Sequence, residues 1–169
     1  MPDKSDLAGS VENLKDIYYA GGCFWGVEKY FSLISGVCDT TVGYANGNTP
    51  NPTYEDVCKK NTGHAETVHV RYSPDIISLK ALTVKFFEII DPTIKNRQGA
   101  DIGSQYRTGI YCVNSEDCDV IKEVISEVQN EYNEPIVTEL EPLQNFYPAE
   151  EYHQDYLKKN PQGYCHIKF

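Results

Sequence analysis

No stretch of this sequence approaches the roughly 18 consecutive apolar residues of a membrane span, so no transmembrane helix is expected. The opening residues, MPDKSDLAGSVENLKD, lack the apolar centre of a secretory signal, which argues against export and for a cytoplasmic protein. Basic residues are in deficit: 15 Lys and Arg stand against 25 Asp and Glu, a formal net charge of -10. A surface of that sign repels phosphate backbones and acidic lipid, which excludes nucleic acid and membranes as expected partners. The six cysteines, at 23, 38, 58, 112, 118 and 165, include no CxxC pair, so no structural zinc site is expected. Without a signal peptide they read as thiols of a reducing compartment rather than a disulfide framework. Repeats, low-complexity tracts and interdomain linkers are also missing. The expectation is a polar extension over 1–15 and a single domain over 16–169.

What is present is an ordered series of periodic segments. DIYYA (16–20) reads as a strand stopped by Gly21-Gly22, and Phe24, Val27, Phe31 and Ile34 recur at helical spacing up to Gly36. Val37–Tyr44 reads as a strand, ANGNTPNPT (45–53) as a loop, and Tyr54–Lys60 as a short helix. Ala65–Tyr72 alternates, which puts Glu66, Val68, Val70 and Tyr72 on one face. A helix over 78–90, a polar loop over 96–107 and a strand over 108–113 follow. The sequence then predicts a long helix over 115–132, a strand over 136–140, a helix over 149–159 and a mobile, non-helical tail over 160–169. The first six major elements run strand, helix, strand, strand, helix, strand. That is the split βαβ order of a ferredoxin-like plait: an α+β, two-layer sandwich with a mostly antiparallel mixed sheet and helices on one face.

Within this frame, GGCFWG joins a strand to a helix and leaves Cys23 at the helix start. Unpaired N–H groups and the positive dipole end favour a thiolate there and predict a lowered thiol pKa. The same placement equally suits a small buried structural cysteine. Trp25, the only Trp in the chain, lies off the apolar stripe and suits either a packing contact or a substrate clamp. Phe24 starts the stripe and reads as core. Glu66 shares a face with apolar residues, where burial raises a carboxyl pKa, or else turns back to solvent at the strand end.

At these residues the sequence resembles the A-type peptide methionine sulfoxide reductases. GCFWGVEKYF is similar to that family's nucleophile motif, and the resemblance continues through VGYANGNTPNPTYEDVC, GHAETVHVRYSP, QGADIGSQYRTGIY and AEEYHQDYLKKNPQGYC. It covers about Ile17 to Cys165 and implies a modified ferredoxin-like fold. Activity on the S epimer of methionine sulfoxide, with one enzyme class per epimer, is implied as well.

A sulfoxide oxygen leaves only when it is protonated or strongly hydrogen-bonded as the sulfur is attacked. The resemblance implies Cys23 as nucleophile, Glu66 as acid, Tyr54 and Tyr106 as hydrogen-bond donors, and Phe24 with Trp25 as the seat of the S-methyl group. It implies Asp101 as a residue that holds the substrate backbone. Cys165 matches the position that condenses with the Cys23 sulfenic acid, and thioredoxin is the implied reductant, with no metal or cofactor. Cys38 and Cys112 read as packing cysteines in strands, and Cys118, at a helix start, as the alternative resolving thiol. Asn46 stands where many relatives have Gly, a substitution of little expected effect because Asn tolerates a left-handed backbone. The chain ends four residues after Cys165 with no further cysteine, so a third relay thiol is not expected there. A monomer is expected.

Two other functions compete. A cysteine hydrolase would pair Cys23 with His64 or His153 as base. A redox-sensing binding module would form a sulfenic acid at Cys23 but release no methionine.

Overall fold

The computed structural model describes residues 13–165 and 167, so the polar extension expected over 1–15 lies for the most part outside the described residues. The elements in chain order are β1 (Lys15–Gly21), α1 (Phe24–Ser32), β2 (Val37–Ala45), α2 (Tyr54–Lys59), β3 (Ala65–Tyr72) and α3 (Leu79–Glu88). They continue as β4 (Arg97–Gln98), β5 (Asp101–Ile102), β6 (Thr108–Cys112), α4 (Ser115–Gln129), β7 (Glu139–Pro142), β8 (Phe146–Pro148) and α5 (Tyr156–Lys159).

Six strands form one sheet in the order β7-β6-β1-β3-β2-β8. Its centre, β6-β1-β3-β2, is antiparallel throughout and has the connectivity of the expected plait. β7 adds parallel to β6 and β8 antiparallel to β2, which makes the sheet mixed. Alternation decides what faces the helices: Ile17, Tyr19, Val42, Tyr44, Val68, Val70 and Ile110 are fully buried against Phe24, Val27 and Phe31 of α1, Leu82 and Phe86 of α3, and Ile121 and Val124 of α4. The Tyr19 ring stacks between Phe31 and Phe86 at centroid distances of 4.8 Å, while its hydroxyl pairs with Thr83. Each such buried aromatic contributes roughly 1.5–3 kcal/mol.

Helix starts follow the side-chain caps in the sequence. Thr53 and Asp56 form a capping box at α2, Ser78 caps α3 and Asn114 caps α4. The loop expected over 96–107 holds instead the β4–β5 hairpin and a 3-10 turn, Ser104–Tyr106. The strand expected over 136–140 begins later, at Glu139. Ile136 N–H donates to the Gln129 side chain and Val137 N–H to Pro92, so neither joins the ladder.

The helix expected over 149–159 is also broken. A 3-10 turn, Glu151–His153, and the short α5 flank Asp155, whose φ is 54°. The Gln154 side chain here accepts from Val42 N–H and donates to the Val42 carbonyl, each at 2.9 Å, and Asp155 N–H donates to Glu28. These long-range bonds outweigh a weak apolar stripe.

The cysteines depart from the all-thiol expectation. Cys112 and Cys118 are joined as a disulfide, while Cys23, Cys38, Cys58 and Cys165 are free. Cys112 ends β6 and Cys118 lies in the first turn of α4, so the tight connection brings them together. Cys112 is therefore more than a packing residue, and Cys118 is bonded to it rather than placed as a resolving thiol.

Candidate active site

The strand-to-helix joint positions the thiol. Gly22 has φ of 89°, which L side chains rarely adopt, and the chain turns there to make Cys23 the N-cap of α1. β3 runs antiparallel beside β1, pairing Val68 with Tyr19, so Glu66 lies next to the end of β1 on the helix-facing side. Its carboxyl Oε1 accepts the Phe24 N–H at 3.3 Å. Glu66 is 1% exposed, and its Oε2 is buried without a protein partner among the described residues. Burial pushes its pKa up to about 8, against the pull of the Phe24 N–H and with a further push from the Asp101 carboxylate. Glu66 therefore does not turn back to solvent.

The lowered Cys23 pKa expected from the helix start is corrected here. Cys23 is 7% exposed, and its thiol is pushed well above the ordinary range, first by burial and then by the Glu66 charge. A hydrogen bond from Trp25 N–H acts in the opposite direction and does not outweigh them. Burial thus favours the protonated form both at the Cys23 sulfur and at the carboxyl beside it.

Tyr54, first residue of α2, and Tyr106, last of the 3-10 turn, face the same carboxyl. Both phenol pKa values are raised, by burial first and by the Glu66 charge second, so both hydroxyls remain proton donors. The Tyr54 hydroxyl and the Cys58 thiol are hydrogen-bonded, which places a further cysteine at the rim. Asp101, in β5, accepts a 3.1 Å bond from the Tyr164 hydroxyl, and burial with that bond pushes the Tyr164 pKa up to about 12. Cys165 follows directly. Its sulfur lies over Gly26 in α1, where an added Cβ would meet it at 2.8 Å.

The aromatic pair divides. Trp25 is partly exposed; its indole N–H donates to His153 Nδ1 at 2.9 Å, and its ring stacks on Tyr156 at 3.8 Å. Phe24 is 1% exposed and lies beneath, against Tyr44 and His153. Glu150 ties this wall together by accepting from the Tyr44 hydroxyl and the Tyr54 N–H.

Thus Cys23, Glu66, Tyr54, Tyr106, Asp101, Trp25 and Cys165 converge, and Phe24 forms the floor. Glu150, Tyr156 and Tyr164 escape sequence reasoning, and His153 enters it only as a possible base. All four sit in AEEYHQDYLKKNPQGYC, a segment whose density of acid and aromatic residues without a clear apolar stripe is the available signal. Both histidines that a hydrolase would use as base have ring nitrogens engaged by other groups. His153 Nδ1 is taken by Trp25, and His64 is held by Gly47 N–H and the Thr49 carbonyl.

Comparison with known proteins supplies the family. The family described as peptide methionine sulfoxide reductase matches residues 15–169. Peptide methionine sulfoxide reductase MsrA of Clostridium perfringens strain 13 is 62% identical over 155 residues, covering 92% of this chain and 99% of that protein. Among solved structures, Mxr1 from Saccharomyces cerevisiae in reduced form superposes with a TM-score of 0.89 at 41% identity, covering 94% of this chain and 93% of that one. Mxr1 in complex with Trx2 matches with a TM-score of 0.63 at 34% identity, covering 86% of each chain. The chain belongs to the peptide methionine sulfoxide reductase family and is an enzyme of that activity.

Proposed function

We propose that this enzyme reduces the S epimer of methionine sulfoxide, free or in proteins, by attack of Cys23 on the sulfoxide sulfur. The observation that carries the reading is Glu66, a buried carboxyl with one unpartnered oxygen beside the N-cap thiol. In the proposed step Glu66 gives its proton to the sulfoxide oxygen while the Cys23 sulfur bonds to that oxygen's sulfur, and the thiol proton returns to the carboxylate. Rearrangement leaves methionine and a Cys23 sulfenic acid. Tyr54 and Tyr106 donate to the oxygen as charge gathers on it, Trp25 above Phe24 seats the methyl group, and Asp101 holds the substrate backbone.

The Cys165 thiol then attacks the sulfenic sulfur, forming the Cys23–Cys165 disulfide and releasing water. The position of Cys165 over the first turn of α1 supports that assignment. Thioredoxin is the proposed reductant of that disulfide, supported by the complex that Mxr1 forms with Trx2.

One methyl seat and fixed donors for one oxygen accept one configuration at sulfur. Incubation with each epimer and dithiothreitol, with methionine quantified, tests the reading. Release from the S epimer alone is expected, and comparable rates on the R epimer would overturn it.

A further inference from the structure

We propose that Cys112 and Cys118 form a second thiol–disulfide site, separate from the catalytic thiols, that exchanges with small-molecule thiols and disulfides. The two residues are bonded in the structure, with Cα atoms 5.7 Å apart, inside the range a disulfide requires.

Their environments are unequal. Cys112, at the end of β6, is 2% exposed, whereas Cys118 is only half-buried and lines an open groove of about 450 Å³. Val113, Leu140 and Leu143 give that groove an apolar floor, and Lys122 stands one turn beyond Cys118 on the same helix face. Exposure makes Cys118 the sulfur an incoming reagent meets first, with Lys122 and Asp119 lining the same groove. Space of this size admits a tripeptide-sized thiol.

The register separates this pair from catalysis. Thr108 is paired with Gly21, two residues before Cys23, so the catalytic thiol lies at the start of β6. Cys112 ends the same strand, roughly 13 Å away at the usual rise per residue. An intact β6 keeps either sulfur from reaching Cys23 or Cys165.

The exchange balances with one small-molecule disulfide as oxidant. The Cys118 thiolate attacks one sulfur of that disulfide and expels its first thiolate. The Cys112 sulfur, losing its proton, then attacks Cys118 and expels the second. Two electrons pass from the protein pair to the small molecule, which leaves as two thiols. Reduction runs the other way, with the incoming thiolate attacking the accessible Cys118 sulfur. Closing the pair pins the first turn of α4 to the end of β6, so the oxidised enzyme is the more heat-resistant form.

The test uses the full-length protein equilibrated across a series of reduced-to-oxidised glutathione ratios, then alkylated and mapped by mass spectrometry. The Cys112–Cys118 linkage should appear and disappear reversibly with a midpoint of its own, while Cys23 and Cys165 are followed in the same digest. Oxidation should raise Tm by roughly 5 °C, and Cys118→Ser should abolish that rise. The same variant should release its first methionine at a rate within about twofold of wild type, as for a distant independent site. Cys112 and Cys118 that stay fully alkylatable in the most oxidising buffer would overturn the proposal, as would linkage of either to Cys23 or Cys165. The mapping of wild type requires no variant to fold.

Discussion

A methyl group at Gly26 would stand 2.8 Å from the sulfur of Cys165, so the absence of a side chain at this position of α1 is what lets the tail thiol settle there. Gly26 follows Cys23 by three residues, close to one helical turn. Gly26→Ala should therefore displace Cys165 while strengthening the helix by about 1 kcal/mol in intrinsic preference. Expected is a normal burst of one methionine per enzyme, followed by steady-state turnover with thioredoxin that falls roughly 10–100-fold. Rapid quench on S-sulfoxide separates the two phases, and an unchanged steady state would show that Cys165 is not held by this contact.

Glu66→Gln keeps the shape of the carboxyl and removes its transferable proton. General acid catalysis typically supplies 10²–10⁴-fold, so the single-turnover rate should drop by at least about 10²-fold with little change in substrate affinity. In wild type that rate should decline as pH rises past about 8, where Glu66 loses its proton, and the Gln enzyme should lack this limb. A variant rate within a few-fold of wild type would remove Glu66 from the mechanism.

Stability carries the same signature with the opposite benefit. Glu66 and Glu28 are both buried, with pKa values pushed by burial from 4.5 to about 8 and about 7; bonds from Phe24 N–H, and from Asp155 N–H and Thr40, lower them only in part. Raised carboxyl pKa values mean that the folded chain holds protons the unfolded chain has released. Their contribution is fully present below pH 4.5 and is lost as pH rises through 7 and 8. Every tenfold gain in proton affinity on folding corresponds to about 1.4 kcal/mol. Relative to wild type, Glu66→Gln should gain several degrees in Tm at pH 9 and little at pH 5. Equal differences at both pH values would contradict the buried-acid account.

His153 acts on Trp25 through the 2.9 Å bond to the indole N–H. His153→Ala leaves that donor unpaired, at a penalty of roughly 1–3 kcal/mol, and frees the ring that flanks the proposed methyl seat. KM for the sulfoxide should rise by about tenfold, with a smaller loss in kcat. His153→Gln, which retains an acceptor, should recover most of the affinity. An effect on kcat alone would place His153 in a different role.

Much of this is legible from periodicity. The plait follows from alternation in β3 and helical spacing in α1. Glu66 is readable because it shares a strand face with Val68, Val70 and Tyr72. The segments that escape, β8 and the broken 149–159 region, take their shape from distant partners: Phe146–Pro148 from the exposed side of β2, and Gln154 and Asp155 from Val42 and Glu28. Local pattern carries no record of those bonds. The Cys23 titration eludes the sequence for a related reason, since a helix start is visible there, whereas the burial of the sulfur and the carboxyl packed beside it are not.

Gln154 also bears on how the protein behaves in a crowded solution. β2 would present an open edge beyond its short pairing with β8, and a flat, unpaired edge is a template for strands of other chains. The Gln154 amide occupies both backbone groups of Val42, so at that point a side chain stands in for a strand. Folding of the segment after β8 thus covers the sheet edge at Val42, and a chain truncated before Gln154 would leave that edge open while also losing Leu157 and Ile167 from the core.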